Sequence, residues 1–175
     1  MTSVSPIPSW NPSPSRVPAA TASRADTPSS PASPPSAIVA FGGGSALDAA
    51  KAVALLLANP GHTVGDLEKA AHIVPRSMPL VAVPTTAGTG SEVTMNGVVT
   101  SPEHGVKVSL RSTDMLAAVA LVDPLLTLDC PPAVTASSGL DALTQCLEAY
   151  VTRFANPLVD GLCREGLARA GASLR

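Results

Sequence analysis

The chain has 175 residues, a net charge of −2 and a pI near 5.8, and no basic stripe runs along it, which argues against nucleic acid as a partner. Its apolar runs are interrupted by Gly and Pro before they reach the length of a bilayer, which argues against a membrane span. The three cysteines lack metal-type spacing and are expected to be reduced structural thiols in a cytosolic protein.

The N-terminal segment, residues 1–36, differs in composition from the rest of the chain. It consists mostly of Ser, Pro, Ala and Thr and holds half of the 18 prolines, so it is predicted to be disordered. It has no continuous apolar stretch of the kind that directs secretion. Its serines, with Arg16 and Arg24, leave an organelle transit peptide as the alternative to a cytoplasmic location.

The most informative stretch is a strand, a glycine turn and a helix in succession. Ile38–Phe41 is predicted to be a buried strand, three glycines occupy positions 42–44, and a helix is predicted over Ser45–Ala58, with Ser45 as its N-cap and Asp48 in a capping-box position. Glycines let the N–H groups at a helix N-terminus approach a phosphate. The stretch therefore predicts a phosphate or nucleotide site, although it lacks the GxGxxG spacing, and a tight packing turn is the alternative.

A second glycine-rich loop follows the next predicted strand. Residues 60–78 are predicted to be a loop with a short helical piece around Asp66–Ala71, and Leu80–Val83 is the strand. The loop after Pro84, Thr85–Glu92, carries hydroxyls that can bind phosphate, ribose or carboxamide groups. Because the carboxyl ends of parallel strands share one sheet edge, both loops are expected at the ligand-binding edge. A polar surface loop is the alternative.

The next elements complete an α/β pattern. Thr94–Thr100 and Val106–Leu110 are predicted to form a hairpin, and Val119–Val122 is a further apolar strand. Lys107 in the hairpin is either a ribose or phosphate contact or a solvated side chain. Strands that alternate with helices imply a mostly parallel sheet, so residues 37–130 are predicted to be a partial α/β domain.

After residue 130 the pattern becomes helical. Apolar residues recur at helical spacing at Leu140, Leu143, Leu147, Tyr150 and Val151. Ser138 is the expected N-cap of this helix, Asn156 precedes the proline that ends it, and Leu158 begins another helix. Since the chain ends inside this pattern, residues 131–175 are expected to be the beginning of a second, truncated domain.

Asp141 and Gln145 lie four residues apart and therefore project from one face of the first of these helices. A carboxylate there could bind a metal, but a neutral amide is a poor ligand for a transition metal. From residue chemistry alone, the favoured interpretation is an acid that interacts with the helix dipole beside a polar neighbour, and metal binding is the alternative.

Together these stretches resemble the iron-containing (group III) alcohol dehydrogenase family. The matching stretches, in family order over about residues 37–170, are AFGGGSALDAAKAVA, VAVPTTAGTGSEVT, the Lys107 hairpin, ALVDPLLTLDCPP and GLDALTQCLEAYVTRFANPLVDGL. The resemblance implies the dehydroquinate synthase-like fold of that family, in which a Rossmann-like domain precedes an all-helical one and NAD(P) and a metal lie between them. It also implies hydride transfer between the nicotinamide and an alcohol, aldehyde or ketone, often in a homo-oligomer.

The resemblance implies a set of cofactor contacts and one metal ligand. The pyrophosphate loop corresponds to Gly43, Gly44 and Ser45, with Asp48 beside it. The other implied cofactor contacts are Thr85, Thr86, Thr94, Lys107, Thr127 and Leu128. Asp141 matches a ligand of the Fe²⁺ or Zn²⁺ that would polarise the alcohol oxygen. No catalytic residue is assigned.

The chain departs from the family's pattern in three places. Gln145 stands where the family's DxxxH has a histidine ligand, two further histidines are expected beyond residue 175, and the Pro/Ser-rich segment replaces the family's first α/β segment. One carboxylate and one amide should hold a transition metal weakly.

These departures change what is expected of the chain itself. We expect no dehydrogenase turnover from it alone, and exposed apolar helix faces that need another chain. The alternative to an enzyme is a non-catalytic remnant with at most weak nucleotide binding. Because the related maleylacetate reductases alter the same metal motif, a metal-independent reductase is a second expectation for the full-length parent.

Overall fold

The computed structural model describes residues 36–69, 78–101, 105–154 and 156–174. The predicted disordered segment lies outside these ranges apart from its last residue, and so does the end of the short helical piece predicted around Asp66–Ala71.

The described elements follow the predicted α/β order and then become helical. In chain order they are β1 (Ile38–Gly42), α1 (Gly44–Ala58), α2 (Val64–Lys69), β2 (Leu80–Pro84), β3 (Asn96–Ser101), β4 (Val106–Arg111), β5 (Val119–Ala120), α3 (Pro132–Val151) and α4 (Pro157–Ser173). Short 3-10 turns lie at Ser91–Val93, Thr113–Met115 and Pro124–Thr127. None of the helices in these ranges is long and apolar enough to cross a membrane.

The strands form a parallel sheet and a separate hairpin. The sheet has the order β1–β2–β5, and Ile38 pairs with Leu80 at one end of the β1–β2 ladder. The hairpin of β3 and β4 is antiparallel. The parallel α/β fold and the hairpin predicted from the sequence are thus confirmed. The strand predicted over Val119–Val122 is shorter, because only Val119 and Ala120 pair with β2.

Helix α1 covers one face of the sheet and also contacts the hairpin. One apolar cluster, between α1 and the sheet, consists of Ala40, Leu47, Leu80 and Ala82. A second, between α1, α2 and the hairpin, consists of Ala52, Leu55, Leu67, Leu110 and Met115. Each buried leucine stabilises the fold by roughly 1.5–3 kcal/mol. These clusters fix α1, and therefore the glycine turn before it, against β1 and β2.

The other face of the sheet is exposed at strand β1. Val39 and Phe41 are 66% and 62% exposed, because successive side chains of a strand point to opposite faces and only the Ala40 face meets α1. The prediction that Ile38–Phe41 is a buried strand is therefore wrong at Val39 and Phe41, while Ala40 is buried. Strand β2 is buried as predicted, with Leu80 and Ala82 almost inaccessible.

Two predicted helix caps are wrong. Helix α1 begins one residue earlier than expected, with Gly43 at the N-cap position and no side chain capping it. Helix α3 begins at Pro132, since proline suits the first turn of a helix, where its missing N–H would be unpaired anyway. Ser138 therefore lies inside α3, where its hydroxyl donates to the Thr135 carbonyl at 3.3 Å.

Helices α3 and α4 pack on each other and leave apolar side chains exposed. A Cβ on Gly166 would lie 2.7 Å from Cys146 Sγ, so the two helices approach closely. Asn156 caps α4 by accepting a hydrogen bond from the Leu158 N–H at 3.0 Å. The predicted exposed apolar faces are present, since Val151 and Leu158 are 67% and 81% exposed.

Candidate functional site

The two loops predicted to share a sheet edge meet there. The Thr85 N–H donates to the Gly42 carbonyl at 2.9 Å, directly where β1 and β2 end. A Cβ on Gly44 would lie 2.7 Å from Thr89 Cγ2, and one on Gly43 would lie 3.3 Å from Thr86 Cγ2. A side chain at Gly44 would therefore collide with the threonine-rich loop, and one at Gly43 would require Thr86 to shift slightly. The two interpretations of the glycine turn, a phosphate site and a tight packing turn, are thus compatible, because tight packing and open N–H groups occur in one turn.

A cleft of about 790 Å³ opens beside this turn, between α1, the hairpin and α3. Its lining includes many of the residues singled out from the sequence: Gly44, Ser45, Asp48, Thr94, Lys107, Asp141 and Gln145. These residues come from four separate parts of the chain: α1, the segment before β3, β4 and α3. The cleft is therefore the candidate binding site.

The remaining predicted contacts do not line this cleft. Thr86 and Thr127 line a smaller pocket of about 290 Å³ with Asp123. The Thr127 hydroxyl donates to the Pro124 carbonyl at 2.8 Å, and Leu128 is 74% exposed. Gly43 and Thr85 lie in the two loops and line neither of these two cavities. A ligand that used all of the predicted contacts would have to extend from the cleft to this second pocket.

Three kinds of hydrogen-bond donor line the cleft. The first intrahelical bonds of α1 run from Ala46 and Leu47 to the Gly43 carbonyl, so the preceding N–H groups of Gly44 and Ser45 are available. The Ser45 hydroxyl is exposed. The exposed Lys107 has no acidic partner within 4 Å among the described residues. Donors, a cation and a helix N-terminus together favour an anionic ligand.

The buried Lys51 and the partly buried Asp48 form a pair whose role was not predicted from the sequence. The Lys51 side chain is 0% exposed, and its Nζ lies 3.8 Å from Asp48 Oδ1. It donates to the Thr94 carbonyl at 3.0 Å, to Thr94 Oγ1 at 3.2 Å and to the Asn96 carbonyl at 2.8 Å. Burial lowers the pKa of Lys51 below its ordinary 10.5, and the charges of Asp48 and Glu92 oppose that shift. The only sign of this interaction in the sequence was the presence of two charged residues, Asp48 and Lys51, on an otherwise apolar helix.

The Asp48 carboxylate and the Thr94 hydroxyl already have partners within the protein. Asp48 accepts hydrogen bonds from Ser91 Oγ at 2.5 Å and from the Val98 N–H at 3.0 Å. Thr94 Oγ1 accepts from Lys51 and donates to the Ser91 carbonyl at 3.3 Å. Both residues were expected to contact a cofactor. In the structure, their hydrogen bonds join helix α1 to the hairpin and the segment before it.

Asp141 and Gln145 also line the cleft and are hydrogen-bonded to each other. Gln145 Nε2 donates to Asp141 Oδ2 at 2.8 Å and to the Gly88 carbonyl at 3.4 Å. A Cβ on Gly88 would lie 2.0 Å from the Ser138 carbonyl oxygen, so this loop and α3 are in direct backbone contact. The pair thus lies where helix α3 meets the threonine-rich loop.

The described residues do not fit a transition-metal site. They contain no group of three or more His, Cys, Asp or Glu side chains that could hold a metal ion. Asp141 is the one carboxylate of the expected ligand pair, and the Gln145 amide donates a hydrogen bond to it. A carboxylate with one amide neighbour supplies too few suitable ligands for Fe²⁺ or Zn²⁺.

A parallel sheet with glycine- and threonine-rich loops at one edge is an architecture of nucleotide-binding α/β proteins. The family model described as iron-containing alcohol dehydrogenase matches residues 18–124. The chain belongs to the iron-containing alcohol dehydrogenase family.

Individual relatives agree with this assignment. The probable alcohol dehydrogenase EutG of Salmonella typhimurium is 47% identical over 137 residues, which are 78% of this chain and 34% of that protein. Alcohol dehydrogenase 4 of Saccharomyces cerevisiae is 42% identical over 78% of this chain and 36% of its own length. The chain thus spans about a third of the length of the relatives that it matches.

A solved structure shares the fold. Sulfoacetaldehyde reductase from Bifidobacterium kashiwanohense, in complex with NAD⁺, superposes with a TM-score of 0.72 and 36% identity. The match covers 77% of this chain and 36% of that one.

Proposed function

We propose that the cleft binds the diphosphate part of NAD(P) and that the full-length protein transfers a hydride between the nicotinamide and an alcohol or carbonyl substrate. The observation that carries this proposal is the meeting of free donors from Gly44 and Ser45 with the cation of Lys107 in one cleft. Family membership and the NAD⁺ complex of a relative support the choice of ligand.

Each group has a separate part in this binding. The Gly44 and Ser45 N–H groups and the Ser45 hydroxyl donate to phosphate oxygens, and the positive end of α1 favours their charge. Lys107 offsets part of the remaining charge from across the cleft. The glycines keep Cβ atoms out of the approach, while the threonine-rich loop supports them from behind. When bound, the cofactor supplies the nicotinamide carbon that accepts or gives the hydride.

A metal-independent reductase is a second candidate for the full-length protein. The observation that favours it is the hydrogen bond between Gln145 and Asp141, which occupies the one carboxylate expected to bind the metal. The chain described here would then represent the nucleotide-binding part of an enzyme that does not use Lewis-acid catalysis.

The proposal includes a domain boundary, a location and an assembly. The nucleotide-binding domain comprises residues 37–130 and the helical domain begins at 131, which agrees with the start of α3 at Pro132. A cytoplasmic location is supported by the three cysteines, all described and all free. The exposed apolar side chains of α3 and α4 support burial of these helices against further protein, including a second subunit.

Fluorescence titration of the purified chain with NADH tests the binding. We expect saturable binding that ADP-ribose displaces. Ser45→Ala should weaken it by at least about tenfold, because a hydrogen bond to a charged group contributes roughly 1.5–3 kcal/mol. Ser137→Ala is the matched control, since the Ser137 hydroxyl donates to a carbonyl of its own helix. An equal effect of both substitutions would contradict the proposed role of Ser45.

An activity assay separates the enzyme from its nucleotide-binding part. We expect no NADH or NADPH to form when the chain is incubated with primary alcohols and the oxidised cofactor, because the described residues provide no metal site. Alcohol-dependent formation of reduced cofactor would refute this expectation.

A further inference from the structure

Lys51 cannot reach a ligand in the cleft. Its side chain is 0% exposed, and its ammonium is surrounded by oxygens of the segment that leads into β3. A buried ammonium is costly unless its hydrogen bonds are satisfied. Here all three of its donors have oxygen acceptors, two on Thr94 and one on Asn96. The Lys51 ammonium therefore attaches the segment from Thr94 to Asn96 to helix α1.

Asp48 holds the next part of the same segment. Its Oδ2 accepts from the Val98 N–H at 3.0 Å, two residues after the Asn96 carbonyl that Lys51 binds. A Cβ on Gly97 would lie 3.4 Å from the Asp48 carbonyl oxygen, so β3 runs directly over the helix. Helix α1 thus contacts the beginning of β3 at three successive residues, Asn96, Gly97 and Val98.

Strand β3 forms one wall of the cleft and pairs with β4, the strand that contains Lys107. Val98 and Thr100 line the cleft, and Thr100 pairs with Lys107 across the hairpin. The distance from the Lys107 ammonium to the N-terminus of α1 is therefore set by how β3 sits on α1. Among the described residues, Lys51 joins these two elements by donating to the Asn96 carbonyl, and Asp48 does so by accepting from the Val98 N–H.

We infer that Lys51 is a positioning residue for diphosphate binding: with Asp48 it fixes the β3–β4 hairpin against helix α1 and thereby places Lys107 opposite the Ser45 end of that helix. Lys51 itself does not touch the ligand. The positioning role rests on the proposed nucleotide binding, whereas the attachment of the hairpin to α1 can be tested without a nucleotide.

Amide hydrogen exchange on the unliganded 175-residue chain tests the attachment. Lys51→Met keeps an unbranched apolar stem and removes the donors, so exchange over residues 94–100 should become about tenfold faster while Leu80–Val83 stays protected. Lys107→Met, which removes an exposed charge from the paired strand, is the control and should leave both regions unchanged. Unchanged exchange in Lys51→Met, or an equal rise in both regions, would overturn the inference.

If Lys51→Met unfolds the chain, a second variant still tests the attachment of the hairpin to helix α1. Asp48→Leu has nearly the same size and keeps Lys51, but it offers no acceptor to the Val98 N–H or to the Ser91 hydroxyl. We expect faster exchange at the Val98 amide with the sheet unchanged. A Val98 amide as protected as in the wild type would overturn the inference.

Titration with NADH then tests the positioning. Lys107→Met should weaken binding about fivefold in the wild type but less than twofold in the Lys51→Met background, because there the cation is already displaced. Equal losses in the two backgrounds would overturn the positioning role. Failure of the wild-type chain to bind NADH would refute the proposed function and with it this role, while the exchange result would still decide whether Lys51 attaches the hairpin.

Discussion

Replacement of Gly44 by alanine tests the contact between the two loops that form the cleft's glycine end. A Cβ at this position would lie 2.7 Å from Thr89 Cγ2 and 3.0 Å from both Thr89 Cβ and Thr89 Oγ1. Such distances are too short for real carbon contacts, so Thr89 or the helix start must move. Overpacking of this kind costs about 1–3 kcal/mol. Alanine is otherwise favoured over glycine in a helix, so a net loss of stability has to come from Thr89.

Urea unfolding followed by circular dichroism measures the effect. We expect Gly44→Ala to lower the free energy of unfolding by about 1–3 kcal/mol and Thr89→Ala to restore part of the loss, since it removes Cγ2 and Oγ1. Gly161→Ala is the matched control: it lies in α4 with nothing within 4 Å of the added Cβ, and it should stabilise by up to about 1 kcal/mol. A Gly44→Ala chain as stable as the wild type would refute the loop contact.

Three further predictions concern the metal, the buried lysine and the α4 cap. The chain should retain no stoichiometric Zn²⁺ or Fe²⁺ after gel filtration, because Gln145 replaces the expected histidine and the described residues hold no group of three or more metal ligands. One equivalent of metal by elemental analysis would contradict this. Because burial lowers the pKa of Lys51, the unfolded chain binds more protons than the folded one at pH values between that lowered pKa and 10.5. The free energy of unfolding of the wild type, relative to that of Lys51→Met, should therefore rise with pH through this window. A difference that stays flat or falls would be inconsistent with this prediction. Asn156→Ala should cost about 1 kcal/mol in urea unfolding by removing the cap of α4, and an unchanged midpoint would argue against the cap.

Local patterns in the sequence were sufficient for the elements that bury apolar runs. Strands β1 and β2, helix α1 and the hairpin follow from apolar stretches that end in glycine, proline or polar turns. The predicted caps failed because Ser45 and Ser138 have the chemistry of N-caps, but Gly43 and Pro132 already provide helix starts. Cap chemistry alone does not decide between neighbouring start positions.

Tertiary contacts account for the rest of the candidate site. Lys51 and Asp48 bind partners 43 to 50 residues away, which no local pattern encodes. The meeting of Ser45, Lys107 and Asp141 could be anticipated from the shared sheet edge and the family resemblance. The mutual hydrogen bond of Asp141 and Gln145 could not, because four-residue spacing places two side chains on one face without fixing which partner each takes.

Calorimetric titration of NADH into the wild type, Lys107→Met and Arg164→Met tests the central claim, that the cleft binds a nicotinamide dinucleotide through its free donors and cation. Arg164 is an exposed arginine of α4, so its replacement removes the same charge away from the cleft. We expect saturable binding that Lys107→Met weakens about fivefold and Arg164→Met leaves unchanged. The claim is contradicted if the wild type shows no saturable binding, or if both substitutions weaken it equally.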